Sequence, residues 1–172
     1  MEEFAIPNGP DTYDGQGISE RDLPFNMEAE QAVLGSALID SESVGESAKV
    51  LKPSDFYFTA NKFIFEAVMA LFDSNKAIDF VTVTEQLKVN NKLDAVGGIE
   101  YLKKLSSNVP TTRHVAYYSN IIKEKSILRS LIRNVNSISD MAYEEKDTLT
   151  RLIERSEQMI FDISSSREQT DL

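Results

Sequence analysis

Cysteine is absent from this 172-residue chain, and histidine occurs once. Without cysteine there are no disulfides and no thiolate metal ligands, a composition that suits a reducing cytoplasm. His114 has no second histidine or cysteine to act with, so metal binding and nucleophilic catalysis lack their partners. Its place near a helix start on a polar face reads as surface. Positive charge is also scarce. Lys and Arg number 18 against 28 Asp and Glu, for a formal net charge of −10. That balance works against a stand-alone nucleic-acid binder, because phosphate neutralisation supplies most such affinity.

Two further absences narrow the reading. No apolar run approaches the roughly 18 residues of a membrane span. The acidic opening "MEEFAIPNGPDTYDGQG" has neither the basic nor the apolar region of a signal peptide. The chain reads as soluble and cytoplasmic. A phosphate-binding loop of the G-x-x-x-x-G-K-[ST] type is missing as well. "VGGIEYLKK" comes nearest, but it lacks the Lys-Ser/Thr pair and follows no strand, so its glycines read as a turn needing positive φ. The carboxylates are numerous but scattered along polar faces, and no catalytic pair stands out.

What is present is enough apolar material, 41% of residues, for one real core, in one domain or one domain with an appendage. Residues 1–22 collect Gly, Pro, Asp and Glu and read as a disordered tail. After Pro24, Asn26 is placed to cap a helix over 27–39, with Glu28 and Glu30 against its N-terminal dipole. Ala29, Val33, Leu34, Ala37 and Leu38 form its apolar stripe. A short helix over 43–51 ends before Pro53. Phe63, Ile64, Ala67, Val68, Ala70, Leu71 and Phe72 give the next helix a wide buried face. "AIDFV" reads as an extended link, and Thr82 with Glu85 as a capping box opening a helix to about Lys88. "DAVGG" breaks the chain before "IEYLKKLSSN", another short helix.

From Thr112 some thirty residues pass without Gly or Pro. Tyr117, Ile121, Leu128, Leu131, Val135, Ile138 and Ala142 alternate in steps of three and four, a coiled-coil-like stripe with Glu124 in its seam. A polar turn near "EEKD" leads to a second helix with Leu149, Ile153, Ile160 and Ile163, and "SSSREQTDL" reads as the start of a linker. The expected fold is all-α: a compact multi-helix head over 23–110, a long antiparallel helical hairpin over 111–164, and a linker from 165 to 172. The first hairpin helix should reach about 45 Å and the second about 25 Å. The uncovered excess, with Tyr118, Ile122, Ile127 and Ile132 beside the main stripe, points to burial by another chain or to a wider core with the head. Ile121, Leu128 and Val135 are the self-association candidates. Lys125, Arg129 and Arg133 form one ridge of the long helix. They are weak DNA-contact candidates, set against a solvated face or pairing with Glu154 and Glu157 across the hairpin.

Several segments together resemble one family. "LPFNMEAEQAVLGSALID", "DFYF", "IFEAVMAL", "AIDFVTVTEQL" and "VGGIEYLKKLSSNVPTTRHVAYYSNIIKEKSILRSLIR" look like the N-terminal domain of bacterial DnaB-type replicative DNA helicases, in the family's order and spacing from Leu23 to Ile163. The resemblance suggests a Gram-positive (Firmicute) source. The resemblance implies a collar of hexameric rings, a trimer of dimers built by paired hairpins, that binds primase and stands before a RecA-like domain hydrolysing ATP with Mg. It further implies that this chain stops at the linker, short of the motor that moves along single-stranded DNA, and carries no catalytic, cofactor or metal site itself. A helicase loader is a possible further partner. By the same resemblance Glu28, Tyr101, Ile132 and Ile138 are candidates for primase contact or its coupling, against a reading of plain intramolecular packing.

Two other readings stay open on sequence. "TVTEQLKVNNKLDAVGGIEYLKKL" could form a helix-turn-helix of a DNA-binding regulator, although its second helix offers Lys103 and Lys104 rather than base-reading Arg, Asn or Gln. A stand-alone helicase-binding adaptor mimicking the collar is the other.

Overall fold

A computed structural model describes residues 22–168. The expected tail, apart from Asp22, and the last four residues of the expected linker lie outside the described residues. Within them the chain forms seven α-helices and no strand. These are α1 (Met27–Ile39), α2 (Glu42–Ala48), α3 (Thr59–Asp73), α4 (Phe80–Val89), α5 (Gly98–Ser107), α6 (Val115–Glu144) and α7 (Leu149–Glu168). Single 3-10 turns at Pro53–Asp55 and Thr112–His114 precede α3 and α6.

The head is built around α1, which packs against α2, α3, α5 and α6. Asn26 caps it as the sequence indicates, its side chain accepting from Ala29 N at 2.9 Å. Nine of the 13 residues of α1 are buried, so the helix is covered on nearly every side rather than along one stripe. Its small residues make that possible. A Cβ on Gly35 would collide with the Leu105 carbonyl oxygen and with Val109, so α5 lies directly on the α1 backbone.

Two local expectations need correction. In α3 the buried apolar residues are Ala60, Ile64, Phe65, Ala67, Val68 and Leu71, whereas Ala70 and Phe72 face solvent. The assumed apolar face was too wide for a helix that packs on one side only. Helix α4 starts at Phe80, earlier than the Thr82–Glu85 box would have it. Its cap is Asp79, whose carboxylate accepts from Val81 N and Thr82 N while Thr82 Oγ1 accepts from Asp79 N, all at 2.9 Å. Thr82 is the reciprocal partner in the box, not its origin. At the glycine pair φ is +96° and +69°, the left-handed region that favours glycine.

Helices α6 and α7 form the hairpin, joined through Glu145 in the left-handed region. Their lengths are about 45 Å and about 30 Å, and α7 continues through Glu168, one turn beyond the expected linker start. The arms meet along Ile127, Ser130 and Asn134, with Asn134 Nδ2 donating to Met159 O at 3.1 Å. On α6 the buried residues Val115, Ser119, Ile122 and Arg129 turn to the head. The coiled-coil-like stripe touches the head at Ile121, which packs on its core, while Tyr117, Leu128, Leu131, Val135 and Ala142 in it are exposed.

Candidate functional site

Two features of the molecule go beyond ordinary packing. One is a polar network sealed inside the head. Glu30 is 1% exposed. One carboxylate oxygen accepts from Tyr57 N at 2.6 Å and the other from Asn61 Nδ2 at 2.8 Å. Asn61 Oδ1 in turn accepts from the Tyr101 hydroxyl at 2.6 Å. The chain of bonds thus ties α5 to α3, α3 to α1, and α1 to the loop before α3. Burial dominates the proton affinity of Glu30 and raises its pKa, with the two hydrogen bonds and the Arg129 charge pulling the other way. Burial likewise pushes the Tyr101 hydroxyl up to about 12, so it remains a donor at any physiological pH.

Arg129 completes this interior. Its Nη1 donates to the Pro24 carbonyl at 2.8 Å and its Nη2 to the Asp55 carbonyl at 2.5 Å, while its guanidinium lies 5.4 Å from the Tyr57 ring centre. Phe25 stacks on the same tyrosine at 4.7 Å. Burial lowers the Arg129 pKa and the nearby Glu30 charge opposes that shift. The reading of Arg129 as part of a solvated or DNA-facing ridge is therefore wrong. It is 3% exposed and serves the junction between head and hairpin. Lys125 is half-buried and Arg133 exposed, so the ridge is no continuous phosphate track. Among the described residues neither Glu154 nor Glu157 pairs with it.

Tyr101 is also corrected as a direct contact, since it is buried among its own core neighbours. Glu28 is exposed at the rim of a groove of about 190 Å³ between α1 and the end of α5, beside Gln31, Lys104 and Pro110. Ile132 is exposed and Ile138 half-buried, both on the hairpin far along α6. The four primase candidates are thus not brought to one surface. Sequence reasoning missed Glu30 and Asp55 as interior groups, because a carboxylate beside a helix N-terminus looks solvated until its partners, 25 or more residues away, are known.

The second feature is the apolar face of the hairpin. Leu128, Leu131, Ile132 and Val135 on α6 are all more than a third exposed, as are Leu149, Ile153, Ile160 and Phe161 on α7. Ile138 is half-buried, and Ile121, a self-association candidate from sequence, is half-buried against the head core instead. On α6 the spacing puts Leu128, Leu131, Ile132 and Val135 on one side of the helix, an exposed aliphatic stripe rather than scattered single residues. Helix α5, the would-be recognition helix, packs its Tyr101, Leu102 and Leu105 inward and presents Glu100, Lys103 and Lys104 to solvent. Among the described residues no cluster of three metal-ligating side chains occurs, and no helix is long and apolar enough to cross a membrane.

Known proteins share this architecture. Residues 22–124 match the DnaB-like helicase N terminal domain family. Over 150 residues the chain is 38% identical to replicative DNA helicase DnaB of Geobacillus stearothermophilus, covering 87% of this chain and 33% of that protein. Replicative DNA helicase DnaC of Bacillus subtilis (strain 168) is 37% identical with the same coverage. The chain spans about a third of the length of these relatives. The crystal structure of the N-terminal domain of DnaB helicase from Mycobacterium tuberculosis superposes with a TM-score of 0.76 at 30% identity, over 82% of this chain and 99% of that one. A DnaB-like replicative helicase whose structure was described with its interactions with primase gives 0.67 at 25% identity, over 80% of this chain and 31% of that one. An all-helical head on a long hairpin, matched in sequence and in shape over most of its length, places this chain in the DnaB-like helicase N-terminal domain family.

Proposed function

We propose that this chain is the N-terminal collar domain of a hexameric replicative helicase, an assembly and docking module that performs no chemistry itself. The observation that carries the reading is the apolar stripe Leu128, Leu131, Ile132 and Val135 on α6, exposed in a single chain. Each aliphatic side chain buried by a second copy contributes roughly 1.5–3 kcal/mol. Pairing hairpins two by two covers this stripe, with Leu128 and Val135 in the seam and Ile121 at its edge against the head, and three such pairs close a ring.

Primase is the second partner of this reading, supported by the relative described with it. The accessible candidates are Glu28 at the α1–α5 groove and Ile132 with Ile138 on the hairpin, while Tyr101 acts only through the network behind Glu30. ATP, Mg and single-stranded DNA belong to a motor domain of the longer protein, with Lys125 and Arg133 left as marginal DNA contacts. A helicase loader is a further candidate partner.

Titration calorimetry of this chain against the cognate primase tests the docking role. Saturable binding weakened by Glu28→Lys or Ile132→Glu supports it. No heat and no co-sedimentation at concentrations where the chain is oligomeric would refute it. Stoichiometric ATP hydrolysis by the pure chain would refute the non-catalytic reading.

A further inference from the structure

The long helix is fixed to the head at two places of different character. Its first two turns are held by apolar burial, through Val115 and Ile122. From Lys123 onward the attachment is polar and converges on one residue. The Asp55 carboxylate accepts from Lys52 N at 2.8 Å, from Ser126 Oγ at 2.7 Å and from Lys123 Nζ at 3.2 Å, and its carbonyl takes Arg129. Lys123, Ser126 and Arg129 recur every third residue, which puts them in one row on α6. Arg129 is the last buried residue of α6, which then runs on for about four turns and carries α7.

We propose that Asp55 and Arg129 form an orienting pin. The apolar anchor locates the hairpin on the head, and the polar pin fixes its direction, so that releasing the pin lets the hairpin rock as one arm about Val115–Ile122. Energetics favour this division. Removing apolar side chains from a packed contact costs several kcal/mol. Exchanging one hydrogen bond of the pin for water, with a charged group on one side, costs about 1.5–3 kcal/mol. Loss of one such bond shifts the balance between orientations of the arm while its apolar anchor stays packed. A groove of about 240 Å³ runs between the two arms beside the pin, bounded by Asp55, Ile127, Ser130, Asn134, Asp162 and Ile163. Pro24, the other acceptor of Arg129, connects the pin to the segment entering α1. The importance of the angle rests on the proposed assembly role, because it sets where the exposed apolar face points.

Spin labels at the exposed positions Glu66 on α3 and Tyr143 at the hairpin tip read the angle. Labelled chain diluted into excess unlabelled chain reports intramolecular distances only. The wild type should give one narrow distance peak. Asp55→Asn should raise a second orientation about tenfold, the effect of one charge-assisted hydrogen bond, and Arg129→Met, which removes two such bonds, should raise it more. The near-UV signal of the head should stay unchanged. If Asp55→Asn loosens the head, Ser126→Ala and Lys123→Met, which leave Asp55 in place, decide the matter by broadening the peak. A single unchanged peak in every folded variant overturns the pin. Sedimentation of the same samples separates the two proposals: a hinge that responds in a chain that never self-associates keeps the pin and removes the assembly role.

Discussion

Asn61 Nδ2 donates to Glu30 Oε2 across 2.8 Å in the sealed interior of the head, and the two residues need each other's exact chemistry. Asn61 has its oxygen committed to the Tyr101 hydroxyl, so only its amide nitrogen can face residue 30. A carboxylate accepts on both sides and a carboxamide does not. Glu30→Gln should leave one donor, Asn61 Nδ2 or Tyr57 N, unsatisfied and cost about 1–3 kcal/mol. Urea denaturation measures it, and an unchanged midpoint would show that the network repacks freely.

The same carboxylate sets a pH dependence. Its pKa is raised above the ordinary 4.5 by burial, so the folded chain binds this proton more tightly than the unfolded one. The stability that the proton confers is complete below the unfolded value and is lost as pH rises through the higher folded value. Measured from pH 4 upward, wild-type stability should therefore decline relative to Glu30→Gln. A wild type that gains on the variant over that range would give Glu30 the opposite shift.

Gly35 predicts a second large effect. Alanine there has no room between α1 and the α5 backbone, and the clash is with a carbonyl oxygen rather than a movable side-chain end. Gly35→Ala should destabilise by about 1–3 kcal/mol or more, despite the better helix propensity of alanine. Thermal melting of the two chains checks this, and a stabilised variant would mean that α5 can lift away.

Ser119 predicts the reverse. Its hydroxyl is buried where α6 meets the head and is the sole side-chain polar atom in the described interior with no hydrogen-bond partner. Ser119→Ala removes a desolvated group without leaving a hole, so stability should hold or rise by up to about 1 kcal/mol. A loss above that size would reveal a partner for the hydroxyl.

Much of the fold was legible because it is written locally. Asn26 announces α1, the glycine pair announces the turn before α5, and the gap in Gly and Pro after Thr112 announces the long arm. What escaped depends on residues far apart in sequence. Glu30 meets Tyr57 and Asn61 across α1 and α3, and Asp55 meets Lys123, Ser126 and Arg129 some 70 positions on. Arg129 shares a ridge with Lys125 and Arg133, and periodicity alone cannot say that the middle member of such a ridge turns inward. The apolar stripe of α6 was legible for the opposite reason: its spacing is regular, and Leu128, Leu131 and Val135 on it are exposed in the single chain.

That stripe supports the central claim, and sedimentation equilibrium of the wild-type chain beside Leu128→Glu tests it most directly. Leu128 is 42% exposed in the single chain, so a charge there should leave the monomer folded by circular dichroism. The account predicts concentration-dependent dimers or larger even-numbered assemblies for the wild type, and a shift of Leu128→Glu towards monomer. A wild type that stays monomeric at high concentration, or a Leu128→Glu chain that assembles equally well, would contradict it.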